Sequence, residues 1–437
     1  MASGREVLIR VLLKRWSWVA VLVLGSLLAA GCVTPEVTET SRVDLPAASV
    51  TPNVIPPSAS GGTFVGESTH EYAIAYHPYP HLIYTDGWYA LYFDGEDAIV
   101  AYSPDGKTFG NHTMVNHGRV PLGGAALYLN DESVFVIYPD TNNMKLYLRK
   151  GVASGGSLQL GNPVEVLDMG QSFTVKIPSL LFDGNGVPSI VFSGLEGWGD
   201  GGGSRWRARI VQATSSDLSQ WSEPKTFADA ISPNQEAAAS ASGVFMGGDL
   251  ALIYEVRDHL FVTTGTYTEG LALTDVFTGT HDYVLASDGE QLHLVYHSAA
   301  SEPGNPSRMV YRGWTRQAGW SDRVVLGATK AHHTALAIDP AGNVWVFYGT
   351  STSIRVRILK SGSDVFEAER CIISISDDDR AGHAWLSAAP GGDDAGVGLL
   401  WMEQHVGTPV NPIDGRWNVR FHAFTLTEIL ALPTCAA

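Results

Sequence analysis

Basic residues are scarce in this chain: 28 Lys and Arg against 45 Asp and Glu among 437 residues, a formal charge of −17 with histidine neutral. A surface so short of cations is poorly suited to nucleic acid or anionic lipid headgroups, which demand clustered Lys and Arg. Cysteine numbers only 3, so the chain can form no more than one internal pair. No HxH or HExxH spacing occurs, and the adjacent His332 and His333 would point to opposite faces of a strand. Metal binding is therefore the weaker option, and no cofactor is implied. Helical periodicity is also missing, since no window places apolar residues convincingly at a 3.6-residue period. Long apolar runs are confined to one, from Trp16 to Ala30.

That run is informative. Arg5, Arg10, Lys14 and Arg15 stand before it against Glu6 alone, the n-region and h-region of a signal peptide over residues 1–31. It is somewhat short for a membrane span of about 20 apolar residues, and a transmembrane anchor is the alternative. The segment Leu27-Leu28-Ala29-Ala30-Gly31-Cys32 resembles the lipobox of bacterial lipoproteins. The resemblance implies that Cys32 becomes the mature N-terminus and carries the lipid. Val33, where an aspartate would favour inner-membrane retention, implies an outer-membrane location, periplasmic or surface-facing. Cys32→Ser is then expected to abolish lipid labelling and release the protein from membrane fractions, because this reading supplies no other anchor. An unlabelled variant that stays in the membrane would overturn it. With Cys32 acylated, Cys371 and Cys435 remain, an even pair in an exported protein. They are expected to be bonded, two free buried thiols being the alternative.

Residues 32–62 are rich in Thr, Pro, Ser and Val without a hydrophobic period, which describes an extended tether. From residue 63 to 437 short alternating apolar runs are separated by Gly, Asp and Asn turns, an all-β pattern. One phrase recurs: WYALY ending at Tyr92, VFVIY at Tyr138, LALIY at Tyr254, LHLVY at Tyr296, VWVFY at Tyr348 and VGLLW at Trp401, with SIVFS from Ser189 to Ser193 in the one gap. The spacing is close to the roughly 40 to 50 residues of a four-stranded propeller blade. A turn such as Asp86-Gly87 or Asp288-Gly289 precedes each copy, and a short apolar strand precedes the turn. The unit reads as an inner strand, a hairpin turn, a second strand ending in an aromatic, then two outer strands. Seven copies predict a β-propeller of seven four-stranded blades, with six as the alternative count. A large β-sandwich is the rival architecture, but it would not repeat one phrase at blade spacing.

Two turns carry a serine, an aspartate two residues on and an aromatic four further: Ser103-Pro104-Asp105-Gly106-Lys107-Thr108-Phe109 and Ser215-Ser216-Asp217-Leu218-Ser219-Gln220-Trp221. In each the carboxylate would cap turn amides while the aromatic plugs the blade. They resemble the Asp-box or BNR turns of sialidase-like propellers, and Gly319-Trp320-Ser321 is a degenerate echo. Val175-Lys176-Ile177-Pro178-Ser179-Leu180 is similar to the sialidase segment that supplies an arginine of the carboxylate-binding triad, with Lys176 at the arginine position. The stretch from Tyr79 to Tyr89 resembles the first blade of arabinanase-like hydrolases, with Tyr79 where those enzymes place the general-base aspartate. The catalytic signatures of both families are thus incomplete.

The repeat also lines up polar residues at the starts of the inner strands: His81, Arg119, Lys176, Glu236, His281, His333 beside His332, and His383. They should converge on one mouth of the channel around a small or chain-end ligand. Glu255 and Glu403, with Asp94, His297 and His405, follow the ends of the second strands nearby. Such a ring would suit a polysaccharide or glycan. His281, His333 and Glu236 are the candidate catalytic groups; His81, Arg119, Lys176, His383, Glu255 and Glu403 are the candidate binding groups. Elimination from an acidic sugar needs a cation at the carboxylate and a base such as His or Tyr, whereas hydrolysis needs two carboxylates at a defined separation. Binding of an acidic glycan would weaken as pH rises through the imidazole range and as salt is added. The alternative is a non-catalytic propeller scaffold that binds an envelope protein.

Overall fold

The computed structural model describes residues 61–70, 73, 74, 80–116, 124–140, 142, 144–170, 173–197, 204–232, 241–256, 259–264, 270–273, 283–298, 308–327, 332–350, 353–374, 385–392, 396–408 and 411–435. All belong to the unit Ile55–Ala437. Cys32, Arg119, Glu236, His281 and His383 lie outside the described residues, as do the leader and most of the tether.

Seven antiparallel sheets form the blades of a β-propeller. Their inner strands are Leu82–Tyr84, Ala126–Asn130, Phe173–Phe182, Ala241–Met246, Tyr283–Ser287, His332–Ile338 and Leu386–Pro390, for blades one to seven in order. Each inner strand neighbours the next, and the seventh lies beside the first, so the ring is closed.

The repeated phrase is the second strand of every blade, and the packing explains why it is apolar throughout. Trp88–Phe93 and Val344–Gly349 are buried at every position. Alternate side chains of a strand point to opposite faces, and here both faces meet a neighbouring blade. Tyr89 and Leu91 pack toward blade two, whereas Trp88, Ala90 and Tyr92 pack toward blade seven. The described core is accordingly divided into seven clusters, one at each interface between adjacent blades. Large aromatics fill the wedges between blades: Trp88, Trp345, Trp401, Tyr138, Tyr296 and Tyr348 are among the largest fully buried side chains.

Blade seven departs from the simple repeat. Its inner three strands are Leu386–Pro390, Val397–Thr408 and Asn411–Phe424, but its outer strand is Thr63–Ser68 from the other end of the chain. A side-chain clasp holds the crossing. Trp401 Nε1 donates to Glu403 Oε1 (3.0 Å), Arg420 Nε donates to Glu403 Oε2 (3.1 Å), and the same guanidinium reaches the Gly62 carbonyl (3.3 Å) and lies over the Phe64 ring. A Cβ at Gly62 would overlap the Trp401 ring, so only glycine lets the chain pass there.

After blade seven a short helix, Leu426–Ala431, starts at a Thr425/Glu428 capping box and buries Ile429 between blades six and seven. The tail then runs along the outer strand of blade six, Arg370–Ser374. Cys371 and Cys435 are disulfide-bonded with their Cα atoms 5.3 Å apart. Thr434 bridges Arg370, and the Cys435 amide donates to the Glu369 carbonyl (3.2 Å).

The serine and aspartate turns sit between third and fourth strands. In blade one, Ser103 Oγ accepts from the Gly106 amide (2.9 Å), Asp105 Oδ1 accepts from Lys107 (2.9 Å), and Phe109 packs on Phe421. In blade three, Asp217 Oδ1 accepts from the Ser219 amide and hydroxyl, Ser215 Oγ accepts from Gln220, and Trp221 bridges Ala213. The Ser215 and Ser219 hydroxyls pull the Asp217 carboxyl down to about 2. Blade six has the same bridge between Leu359 and Phe366, a counterpart with too little of the motif left to be read from sequence.

Candidate channel site

The inner strands leave one edge unpaired toward the axis, so the channel is lined by backbone N–H and C=O groups that need polar company. Between them lies a cavity of about 400 Å³ to which all seven blades contribute. Its upper wall is a belt of hydroxyls: Tyr128 from blade two, Ser179 from blade three, Ser242 from blade four, Thr334 from blade six and Ser387 from blade seven. Below the belt the wall is mostly apolar, with Leu180, Phe182, Val244, Phe245, Leu285 and Leu336, and Ser287 of blade five is the one hydroxyl there. Ser179 and Ser242 are bonded through their hydroxyls across two blades (2.9 Å). Ser387 Oγ accepts the His81 amide of blade one (3.0 Å), and Thr334 Oγ1 donates to the Phe347 carbonyl (3.0 Å). Burial raises the Tyr128 hydroxyl well above the ordinary tyrosine value. It stays protonated near neutrality and serves as a hydrogen-bond donor, not as a base.

Just above Thr334 stands His333, buried and with φ at +45°. A register shift between His332 and Thr334 opens the strand there, and a left-handed residue at a bulge re-aims the side chain. The imidazole lies 4.3 Å, centroid to centroid, from the indole of Trp385 at the start of blade seven. Both rings are buried next to residues that line the cavity, Thr334 and Leu386, and Trp385 belongs to the core between blades one and seven. The cavity wall itself offers hydroxyl donors and acceptors and apolar side chains, with no charged residue. Among the described residues no group of three or more His, Cys, Asp or Glu side chains could hold a metal ion.

No family model matches the chain, and no curated protein matches it. Solved propellers do. The polysaccharide lyase Uly1 is 11% identical with a TM-score of 0.48, covering 80% of this chain and 91% of the lyase. The Hadza microbial sialidase Hz136 is 14% identical with a TM-score of 0.43, covering 79% of this chain and 75% of the sialidase. An α-L-arabinanase of Penicillium chrysogenum is 13% identical with a TM-score of 0.44, covering 72% of this chain and 96% of the arabinanase. The likeness is one of fold.

The residues expected at the mouth are only partly brought together. His81 reaches the channel wall through its backbone and is also one of the residues around a separate cavity of about 10 Å³, with Leu91, Gly124 and Ala125, a space for one water at most. Lys176 pairs with Ser193 at the bulge of blade three, and Glu255 pairs with Leu260 in blade four, but their side chains are outside the described set. Glu403 belongs to the clasp of blade seven, engaged by Arg420 and Trp401. The hydroxyl belt was not anticipated. Its signal is a serine or threonine inside an otherwise apolar inner strand, as in PSLLF, ASGVF and LSAAP, easily taken for ordinary strand composition.

At the opposite face another recurrent device explains several buried polar groups. The aspartate that heads the turn between first and second strands accepts from a polar aromatic or imidazole of the second strand. Asp86 takes the Tyr89 hydroxyl (3.0 Å), and Asp339 takes Trp345 Nε1 (2.9 Å) with the Asn343 amide and side chain. In blade five Asp288 faces His293 Nε2 (3.5 Å), and His293 Nδ1 meets the Tyr311 hydroxyl (2.9 Å). Burial holds the His293 imidazole below its ordinary value despite Asp288. The recurrence in three blades makes this a turn latch.

Proposed function

We propose that this is a carbohydrate-binding or carbohydrate-processing propeller of the cell envelope that takes a sugar at the belted end of its channel. The observation that carries the reading is the belt itself: five hydroxyl side chains from five blades toward one end of a cavity that a sixth, Ser287, also lines. A hydroxyl-rich ligand exchanges its hydrogen bonds with water for equivalent bonds to such a wall, while its apolar face meets an aromatic ring. A strongly charged ligand would find no described counter-charge on the cavity wall. Any chemistry would fall to Glu236, His281 and their neighbours from the sequence reading, with the chain held at the envelope through Cys32.

A panel of linear glycans, namely arabinan, xylan, β-1,4-glucan, alginate and polygalacturonate with their trisaccharides, should include at least one ligand by calorimetry. The Ser179→Ala/Ser242→Ala pair removes both partners of one hydrogen bond and so leaves no orphan in the fold. His333→Asn keeps a residue that tolerates positive φ. Each is expected to weaken binding by about tenfold or more, a loss near 1.4 kcal/mol, with unfolding unchanged. Absorbance of a new double bond would mark elimination, and new reducing ends alone would mark hydrolysis. No binding across the panel would leave the protein-binding scaffold as the better reading.

A further inference from the structure

Among the described residues, three blades latch the aspartate of their first turn to the second residue of the repeated phrase: Tyr89 in WYALY, Trp345 in VWVFY and His293 in LHLVY. Near neutrality tyrosine and tryptophan neither gain nor lose a hydrogen, whereas imidazole gains one as pH falls. Blade five therefore carries the one latch of the three that a proton can alter in that range.

The partners of His293 fix the form of the ring that fits. A bare nitrogen would be repelled by the Asp288 carboxylate, so the single hydrogen of a neutral imidazole belongs on Nε2. Nδ1 is then the acceptor, and the Tyr311 hydroxyl donates to it (2.9 Å). Against the pull of burial, the amides of Gln291 and Glu290 hold the Asp288 carboxyl below its ordinary value, so it is ionised. Burial, with Asp288 second, holds the Tyr311 hydroxyl above the ordinary tyrosine value, so it keeps its hydrogen. A second proton puts a hydrogen on both imidazole nitrogens. The Tyr311 hydrogen then loses its acceptor, and the nearest other side chain, Gln291, presents its amide nitrogen there (3.4 Å). Protonation also places a charge in the seam between blades five and six, where Tyr311 packs edge-on against the Phe366 ring of blade six (4.9 Å between centroids). Few charged or titratable groups face that seam. Blade five supplies Asp288, Tyr311 and, along the same strand face, His297; blade six supplies Arg357 over the Phe366 ring and the Tyr348 hydroxyl bonded to Glu369. Of these Asp288 acts on His293 most directly, and burial outweighs it.

We infer that blade five is an acid-sensitive element of the ring: protonation of His293 releases the Asp288 turn and loosens the seam between blades five and six. In the ladder His293 stands opposite Ala286, and the strand from Val284 to Ser287 forms the blade-five wall of the channel cavity. The proton thus acts on that wall whatever ligand the channel takes. An opened imidazole titrates near about 6.5 and the buried one lower, so the opened form takes up the proton first. Stability that is complete above the opened value is lost as pH falls through the folded one.

Hydrogen exchange read by mass spectrometry follows the seam, between about pH 7.5 and about pH 5.5, in wild type, His293→Gln and His293→Tyr. Glutamine keeps an N–H toward Asp288 and tyrosine is the residue that blade one uses; neither titrates in this range, and two replacements guard against one that fails to fold. Comparison at equal pH cancels the intrinsic pH dependence of exchange. In wild type the strands Tyr283–Ser287, Gln291–Ser298 and Arg308–Thr315 should lose protection by about threefold to tenfold more than in either variant, one proton being worth at most about tenfold per pH unit. Blades one to three should respond alike in all three proteins. Equal pH dependence in wild type and a folded variant would overturn the inference. So would a loss of protection in wild type that is spread evenly over the blades, a result that needs no variant to fold.

Discussion

Phe421→Ala is expected to cost about 3 to 5 kcal/mol of stability, the range for a large aromatic removed from a core that cannot collapse around the gap. Phe421 is fully buried where the last blade meets the first. Its ring lies 5.0 Å from Trp88 and 5.2 Å from Phe109, centroid to centroid, and its backbone pairs with Thr63 of the closing strand. Gly106 and Gly398 both press on it so closely that a Cβ at either would overlap the ring. Truncation thus loosens the second strand of blade one, the turn at Asp105 and the crossing strand together. Denaturant unfolding measures the loss, with Val365→Ala as the reference because that side chain is 74% exposed. A loss under about 1 kcal/mol would mean that the junction repacks, as a flexible core can.

Replacing Cys371 and Cys435 together by serine is expected to lower stability by about 4 kcal/mol, the loop-entropy value for a 64-residue separation. The loop in question spans the end of blade six, all of the C-terminal part of blade seven and the helix, so its release widens the unfolded ensemble without removing any of the core. The tail keeps other contacts in the variant, including Arg370 with the Leu432 carbonyl and the buried Ile429. The loss should therefore show in unfolding more than in the native spectrum. Peptide mapping under non-reducing conditions checks the bond directly. Two thiols open to alkylation in the native protein would contradict it.

The blades were legible in the sequence because each second strand is buried on both faces, so a plain apolar phrase such as VWVFY survives in every copy while the outer strands drift. Their number and order followed from that phrase alone. The closing strand was not legible as part of blade seven: TFVGES reads as any edge strand, and its partner lies at the far end of the chain. Local pattern carries no information about such a pairing. The site was less legible than the fold for a related reason. Ionisable residues draw attention in a sequence, yet His81 is not among the residues that line the main cavity and Glu403 is tied to Arg420. The groups that do line the cavity, Ser179, Ser242, Thr334 and Ser387, are small residues in apolar strands. Only the ring shows that they face one cavity.

The crossing strand of blade seven has a consequence for biogenesis. Thr63–Ser68 is the first described strand to be synthesised, and its partner, Asn411–Phe424, is the last. The clasp from Arg420 to Gly62 spans 358 positions of sequence, and contacts of that range form late and slowly. Until then both strands present open edges, the feature that invites mispairing with other chains. Closure of the ring therefore reports that blade seven has been made: a product cut short before residue 411 has nothing for Thr63–Ser68 to pair with.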